Sequence, residues 1–415
     1  MSNAYTTRIE KITGFTNYMS VVAAAAALCG TLALSSCTST SSGLSTPKAD
    51  VGTAEQVIRP LSPNPNGEML GQGPVRVALL VPKTIPGGAA AVANELRNGA
   101  AMAVQDFSQN QFHIVVKDTK GQAADAQIAA NEAVSEGASL VLGPLFAANV
   151  SAASGITLPA NLTTVAFSTD TSVARRGIYL MSFTPKADSE RIISYAASLG
   201  RKSITAFLPD NAEGILRESV LRRIAGANGI ATQVVKYKRT PEGMEEAVKN
   251  GVELAKVSDT IYVPEGGPIP KIVLTGLQRN GVALANKQVL GSGSWESVKT
   301  TDRVVNGALY PGRDIRRFAD FAARYQTQFN APAGVHAANG YDAVTLVAQL
   351  LRTNRPQEAF LPEKLQNSRG FQGINGIFRF NSDGTAQRGL AIYQIKEGKG
   401  VLVSPAPTGF SASGT

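Results

Sequence analysis

The chain has 415 residues, of which 43% are hydrophobic and 17% charged, with a formal net charge of +9. This is enough for two or three ordinary domains, and the composition excludes a disordered chain, a disulfide scaffold and a mainly membrane-embedded protein. Two His and two Cys are too few for a zinc or iron–sulfur centre, so no metal or cofactor is expected.

The N-terminus redirects the basic charge away from nucleic acid. Arg8 and Lys11 precede Met19 to Leu34, an uncharged, weakly apolar run. It is short for a membrane span and suited to a signal-peptide core. It ends in Leu34-Ser35-Ser36-Cys37, which resembles the bacterial lipobox. Small residues there let a peptidase reach the backbone, and the Cys37 thiol takes the lipid. Residues 1–36 are expected to be a signal peptide, and the membrane is reached through a lipid on Cys37. Cys29 would leave with the signal, so no intrachain disulfide is expected. Residue 38 is Thr rather than Asp, which in bacteria that sort lipoproteins by this position favours the outer membrane. The expected place is the cell envelope, facing the periplasm. The basic pairs are scattered and not interleaved with stacking aromatics, so no nucleic acid partner is expected.

From Cys37 to Pro74, 19 of 38 residues are Ser, Thr, Gly or Pro without an apolar period. This reads as a tether over residues 37–74.

From Val75 short apolar runs alternate with helical segments. The runs are Val75–Val81, Phe112–Lys117, Ser139–Leu142, Thr164–Phe167 and Ile178–Phe183. A helix over about 188–199 separates them from a second set: Ile204–Leu208, Thr232–Tyr237, Thr260–Val263 and Gln288–Leu290. The second set starts at steps of 28 residues, the length of a strand–helix unit. Near-continuous apolar strands with intervening helices predict parallel sheets covered on both faces.

The helices fit this reading. Asn94–Phe107 places Leu96, Ala100, Ala103, Val104 and Phe107 on one stripe, and Asp125–Glu136 gathers Ile128, Ala129, Ala133 and Val134. Glu213–Ala227 stops at Asn228-Gly229. Arg316–Phe329 and Ala337–Leu351 are the last long helices. Ile377–Phe380, a turn at Asp383-Gly384, Gly389–Lys396 and Val401–Val403 read as antiparallel hairpins.

These pieces, in this order, resemble a known family. Val75–Pro82, Asp118-Thr119 with Gly121, Leu142-Gly143-Pro144-Leu145, Phe183-Thr184-Pro185, Gly340-Tyr341-Asp342-Ala343 and Phe371–Gly376 are similar to type I periplasmic solute-binding proteins of the leucine/isoleucine/valine-binding kind. The resemblance covers about residues 75–405. It implies an α/β, two-lobed fold with parallel sheets flanked by helices, hinge crossings and a short antiparallel C-terminal tail. Residues 75–186 with 311–369 would form lobe I, 187–310 with 370–405 lobe II, and 406–415 a disordered tail.

The implied ligand cleft contains Phe146 and Ala147 after the Gly-Pro loop, Ser168 and Thr169 after the next strand, and Glu265 and Trp295 from the second lobe. In the amino-acid importers hydroxyls of the first lobe hold a carboxylate and an acid of the second holds the ammonium. Here Gly143–Ala148 carries no hydroxyl, and Asp170 would repel a carboxylate.

The lipobox, the tether, the Gly-Pro-Leu loop and the Phe-Thr-Pro helix start also resemble the penicillin-binding protein activators. That resemblance implies a non-catalytic, lipid-anchored protein that binds a penicillin-binding protein and stimulates peptidoglycan synthesis. The alternative is the substrate-binding lipoprotein of a branched-chain amino-acid-type importer, with a small solute such as an amino acid. Enzymatic readings lack support. No Gly-x-Ser-x-Gly elbow or phosphate loop occurs, Glu245-Glu246 is an exposed helix pair, and His113 and His336 read as structural. No catalytic residue is expected.

Overall fold

The apolar run Val75–Val81 is buried along its whole length, as a strand covered on both faces must be. The computed structural model describes residues 59–298 and 301–410. Cys37, the signal segment and residues 37–58 of the tether lie outside them.

In chain order the first sheet and its helices are β1 (Glu68–Gln72), β2 (Val75–Val81), α1 (Gly88–Phe107), β3 (Phe112–Asp118), α2 (Ala123–Ser135), β4 (Leu140–Leu142), α3 (Ala147–Thr157), β5 (Thr164–Ala166) and β6 (Ile178–Leu180). Next come α4 (Pro185–Ser198), β7 (Ser203–Pro209), α5 (Ala212–Ala227), β8 (Ala231–Tyr237), α6 (Pro241–Val257), β9 (Thr260–Tyr262), α7 (Ile269–Arg279), β10 (Gln288–Leu290) and β11 (Leu309–Gly312). The chain ends with α8 (Ile315–Phe329), α9 (Val335–Thr353), α10 (Pro362–Leu365), β12 (Phe378–Phe380), β13 (Ala386–Arg388), β14 (Ala391–Lys396) and β15 (Lys399–Ser404).

Two sheets result. The first has the order β1-β3-β2-β4-β5-β6, and the second β15-β14-β11-β10-β9-β7-β8. Within these two large sheets all pairs are parallel except β1 with β3, β11 with β14 and β14 with β15. The α/β, two-lobed expectation therefore holds. In each sheet an early strand, β2 or β7, has its successors on both sides, which opens a crevice beyond the strand ends.

The chain passes between the sheets three times. Residues 181–184 lead from β6 into α4, residues 313–314 from β11 into α8, and residues 389–390 from β13 into β14. Helices α8 and α9 supply Phe321, Tyr325, Tyr341 and Leu346 to the first core. Helix α1 crosses α9 with two glycines at the contact. A Cβ on Gly99 would lie 1.9 Å from the Ala337 carbonyl oxygen, and one on Gly340 would lie 2.1 Å from that of Leu96. Any side chain at either position would force the helices apart.

The structure corrects several expectations. The tether reading ran to Pro74, but residues 59–74 belong to the fold. Strand β1 pairs with β3 over five residues. Lys117, buried on β3, donates to the Asn66 carbonyl at 2.6 Å and pairs with Glu132 at 3.0 Å and Glu136 at 2.9 Å. Arg76 donates to the Ser62 carbonyl at 2.8 Å and to His113 Nε2 at 3.0 Å. Composition hid this strand because its pairing partner is tertiary.

The tail also divides. Residues 370–405 were assigned as a whole to lobe II, yet Phe371, Phe378, Phe380 and Ala386 pack into the first core, and only β14 and β15 complete the second sheet. Nor are residues 406–410 a loose end. Ala406 is buried in the second core, and Arg379 lies 4.7 Å over the Phe410 ring. On α2, Ile128 is 57% exposed, because Ala126, Ala129, Ala130 and Ala133 face the sheet instead.

Candidate functional site

The site begins with the start of α4. Pro185 fixes the backbone at the first helical position, and Thr184 Oγ1 accepts from the Ala187 N–H at 3.3 Å, so the helix starts directly after the first crossing. That places Asp188 in the first turn of α4, where the helix dipole favours an acid.

Asp188 is 9% exposed. Its Oδ2 accepts from the Gly293 N–H at 3.2 Å, which joins α4 to the loop after β10. Burial pushes the Asp188 carboxyl up to about 6, against the opposing pull of Arg217 and the Gly293 N–H. Arg217 on α5 is a structural cation. Its Nε donates to Glu213 at 2.9 Å, and its Nη1 donates to Ser189 Oγ at 3.1 Å and the Pro185 carbonyl at 3.3 Å.

A cleft of about 340 Å³ opens here, at the small end of organic-ligand pockets. The crossing segments supply Phe183, Arg313 and Leu390 to its wall. Thr169 and Val335 come from the first-sheet side, and Asp188, Ser294 and Glu296 from the second. Arg313 Nε lies 3.5 Å from Glu296 Oε2 as an ion pair. Its guanidinium stacks 4.2 Å from the Phe318 ring centroid. Arg313 Nε and Nη1 make no hydrogen bond among the described residues. A half-buried cation with unused donors beside an apolar wall is suited to a carboxylate.

The six residues expected in the cleft do not assemble there. Thr169 alone lines it. Ser168 is buried, and its Oγ accepts from the Asp170 N–H at 3.2 Å. Phe146 precedes α3, Ala147 begins it, and neither lines this cleft. Glu265 is engaged by Tyr237 and by Arg239, whose Nε donates to it at 2.8 Å. Trp295 is fully buried. Its Nε1–H is shared between the Val263 and Glu265 carbonyls at 3.0 Å each, so it fastens the loop after β10 from beneath. Both histidines are at least half-buried, and burial lowers the pKa of each. His113 accepts from Arg76 at Nε2, so its Nδ1 carries the proton toward the Gly73 carbonyl at 2.7 Å.

Sequence reasoning missed Asp188, Glu296 and Arg313. The Thr184-Pro185 helix start held the only local signal, since it fixes Asp188 in the first turn. Arg313 and Glu296 meet through sheet order and carry no spacing that announces them.

A family model described as periplasmic binding protein matches residues 74–400. No curated protein matches the sequence. Many solved structures are similar, among them the following three. One, from Rhodospirillum rubrum, is described as a branched-chain amino acid ABC transporter, with 17% identity, coverage of 79% of this chain and 99% of that one, and a TM-score of 0.70. An ABC transporter substrate-binding protein from Desulfitobacterium hafniense in complex with Leu has 18% identity, coverage of 79% and 99%, and a TM-score of 0.59. A solute-binding protein of an ABC transporter from Rhodopseudomonas palustris, in complex with 3,4-dihydroxybenzoic acid, has 17% identity, coverage of 81% and 97%, and a TM-score of 0.57. At such identities the likeness carries the fold.

Proposed function

Because the chain belongs to the periplasmic binding protein family, we propose that it is the solute-binding component of an importer, working on the periplasmic side of the envelope. The observation that carries this is Arg313 at the cleft, with two guanidinium nitrogens, Nε and Nη1, that make no hydrogen bond among the described residues. The solute presents a carboxylate to Arg313. Its apolar part lies along Phe183, Val335 and Leu390, and a donor group faces Asp188 and Glu296. The protein binds without chemistry of its own, and Cys37 carries a lipid that keeps it at the membrane.

The similar structures hold a free amino acid and an aromatic acid, and both kinds carry one carboxylate on an apolar body. This supports the importer alternative over the activator reading. One observation favours the second reading, a non-catalytic activator of a penicillin-binding protein: no side chain of the Gly143–Ala148 loop lines the cleft.

Thermal unfolding of the protein with amino acids, aliphatic acids and aromatic acids tests the proposal. Ligand at about 100 times its dissociation constant adds roughly 2.7 kcal/mol, a shift of a few degrees. A flat panel, together with capture of a penicillin-binding protein by the lipidated chain, would reverse the order of the two readings.

A further inference from the structure

Arg388 stands behind the Phe183 wall of the cleft. It ends β13 and is 6% exposed. Its guanidinium carbon lies 4.3 Å from the Phe183 ring centroid and 5.4 Å from that of Phe378. Nη2 donates to the Met181 carbonyl. Nε and Nη1 have no hydrogen-bond partner among the described residues.

The nearby carboxylate does not satisfy them. Asp342, whose charge favours the Arg388 cation, accepts from the Ile374 N–H at 2.5 Å and the Asn375 N–H at 3.1 Å. Asn375 Nδ2 reaches Asn339 Oδ1 at 2.9 Å and the Val335 carbonyl at 3.4 Å, while Asn375 Oδ1 has no partner among the described residues. Phe183 and Val335 are both cleft-wall residues. A charged donor and a free acceptor thus border Asp342 directly behind the wall. Arg217, by contrast, spends its donors on Glu213, Ser189 and Pro185.

Resting on the reading of the cleft as a solute site, we propose that Arg388 is the floor of a subsite gated by Phe183, and that the solute is a dicarboxylate. One carboxylate meets Arg313 and the distal one meets Arg388. The π face of Phe183 is a neutral cover for the buried cation, and it sits in a crossing segment between the sheets, where a change of rotamer needs no shift of a strand. A carboxylate in its place makes charge-assisted hydrogen bonds that the ring cannot.

Matched pairs test this by calorimetry on the intact chain: hexanoate against adipate, benzoate against benzene-1,4-dicarboxylate, and leucine against glutamate. The expected result is one dicarboxylate bound about tenfold or more tighter than its partner, the scale of an added charged hydrogen-bonded group. Arg388→Gln then removes that preference and leaves monocarboxylate binding within about twofold. Phe183→Ala keeps the preference, and Phe183→Trp, which fills the gate and leaves the residue at position 388 unaltered, weakens the dicarboxylate alone. The Phe183→Trp readout stands even if Arg388→Gln fails to fold. An unchanged ratio in Arg388→Gln and Phe183→Trp, or monocarboxylates bound as tightly as dicarboxylates, overturns the subsite and leaves the solute-binding reading intact. No binding by any member overturns both.

Discussion

The Gly293 N–H donates to Asp188 Oδ2 at 3.2 Å across 105 residues of sequence, and this bond ties the loop after β10 to the first turn of α4. A Cβ on Gly293 would lie 3.1 Å from the same carboxylate, so the approach is already close. The pair lies at the second-sheet wall of the cleft and couples the position of that wall to the protonation of one buried acid.

That coupling gives a pH dependence with a definite sign. The Asp188 pKa is raised from 3.8 to about 6 in the folded chain. The native state therefore holds a proton that the unfolded chain releases between these values, and stability falls as pH rises through that window. Paired carboxylates such as Glu68 and Asp259 are shifted the other way, so their stabilisation is lost on acidification, and Asp342, which burial also raises to about 6, adds to the fall with the same sign. Asp188→Asn is expected to flatten the fall by on the order of 1–3 kcal/mol. Thermal midpoints of both proteins from pH 4 to 7 would show it; parallel curves would remove Asp188 as the cause.

Arg313→Gln removes the cation at the cleft and keeps a polar side chain. Solute affinity should drop about 10- to 100-fold, the scale of a lost charged hydrogen bond. The thermal midpoint of the free protein should fall only modestly, because the substitution gives up one 3.5 Å ion pair with Glu296 and the stacking on Phe318 but no hydrogen bond from Nε or Nη1. Calorimetry with the best ligand decides, and an unchanged dissociation constant would move the anchor elsewhere.

Trp295→Phe should separate packing from binding. It leaves two buried carbonyls without their shared donor, at about 1–3 kcal/mol. Solute affinity should stay within about twofold, since the indole does not reach the cleft. A large affinity loss with normal stability would restore Trp295 to the site.

Truncation maps the start of the fold. A chain beginning at residue 74 lacks β1 and the carbonyls that hold Lys117 and Arg76. It should be weaker than one beginning at residue 59 by on the order of 3–5 kcal/mol, because buried cations are left short of partners. Urea midpoints of the two chains test this, and equal midpoints would return residues 59–73 to the tether.

Cys37→Ala should release the protein from membranes on fractionation. Membrane partition equal to that of the parent chain would end the lipid-anchor proposal.

Much of the architecture was legible in the residues. The run Val75–Val81 could only be a strand covered on both faces, and the 28-residue step from Ile204 marked a parallel sheet, because burial imposes its period locally. The helix start at Thr184-Pro185 was equally local, being set by backbone angles and one cap. What lay beyond local pattern was decided by pairing and packing. Strand β1 is a strand because β3 offers it an edge. The tail splits because Phe378 finds the first core and Ile395 the second. Trp295 is buried because the loop after β10 folds over it, whereas the cleft gathers Phe183, Arg313 and Leu390 from three separate crossings. Periodicity reports which side of an element meets apolar neighbours, and it carries no record of which distant side chains share a crevice once the sheets are assembled.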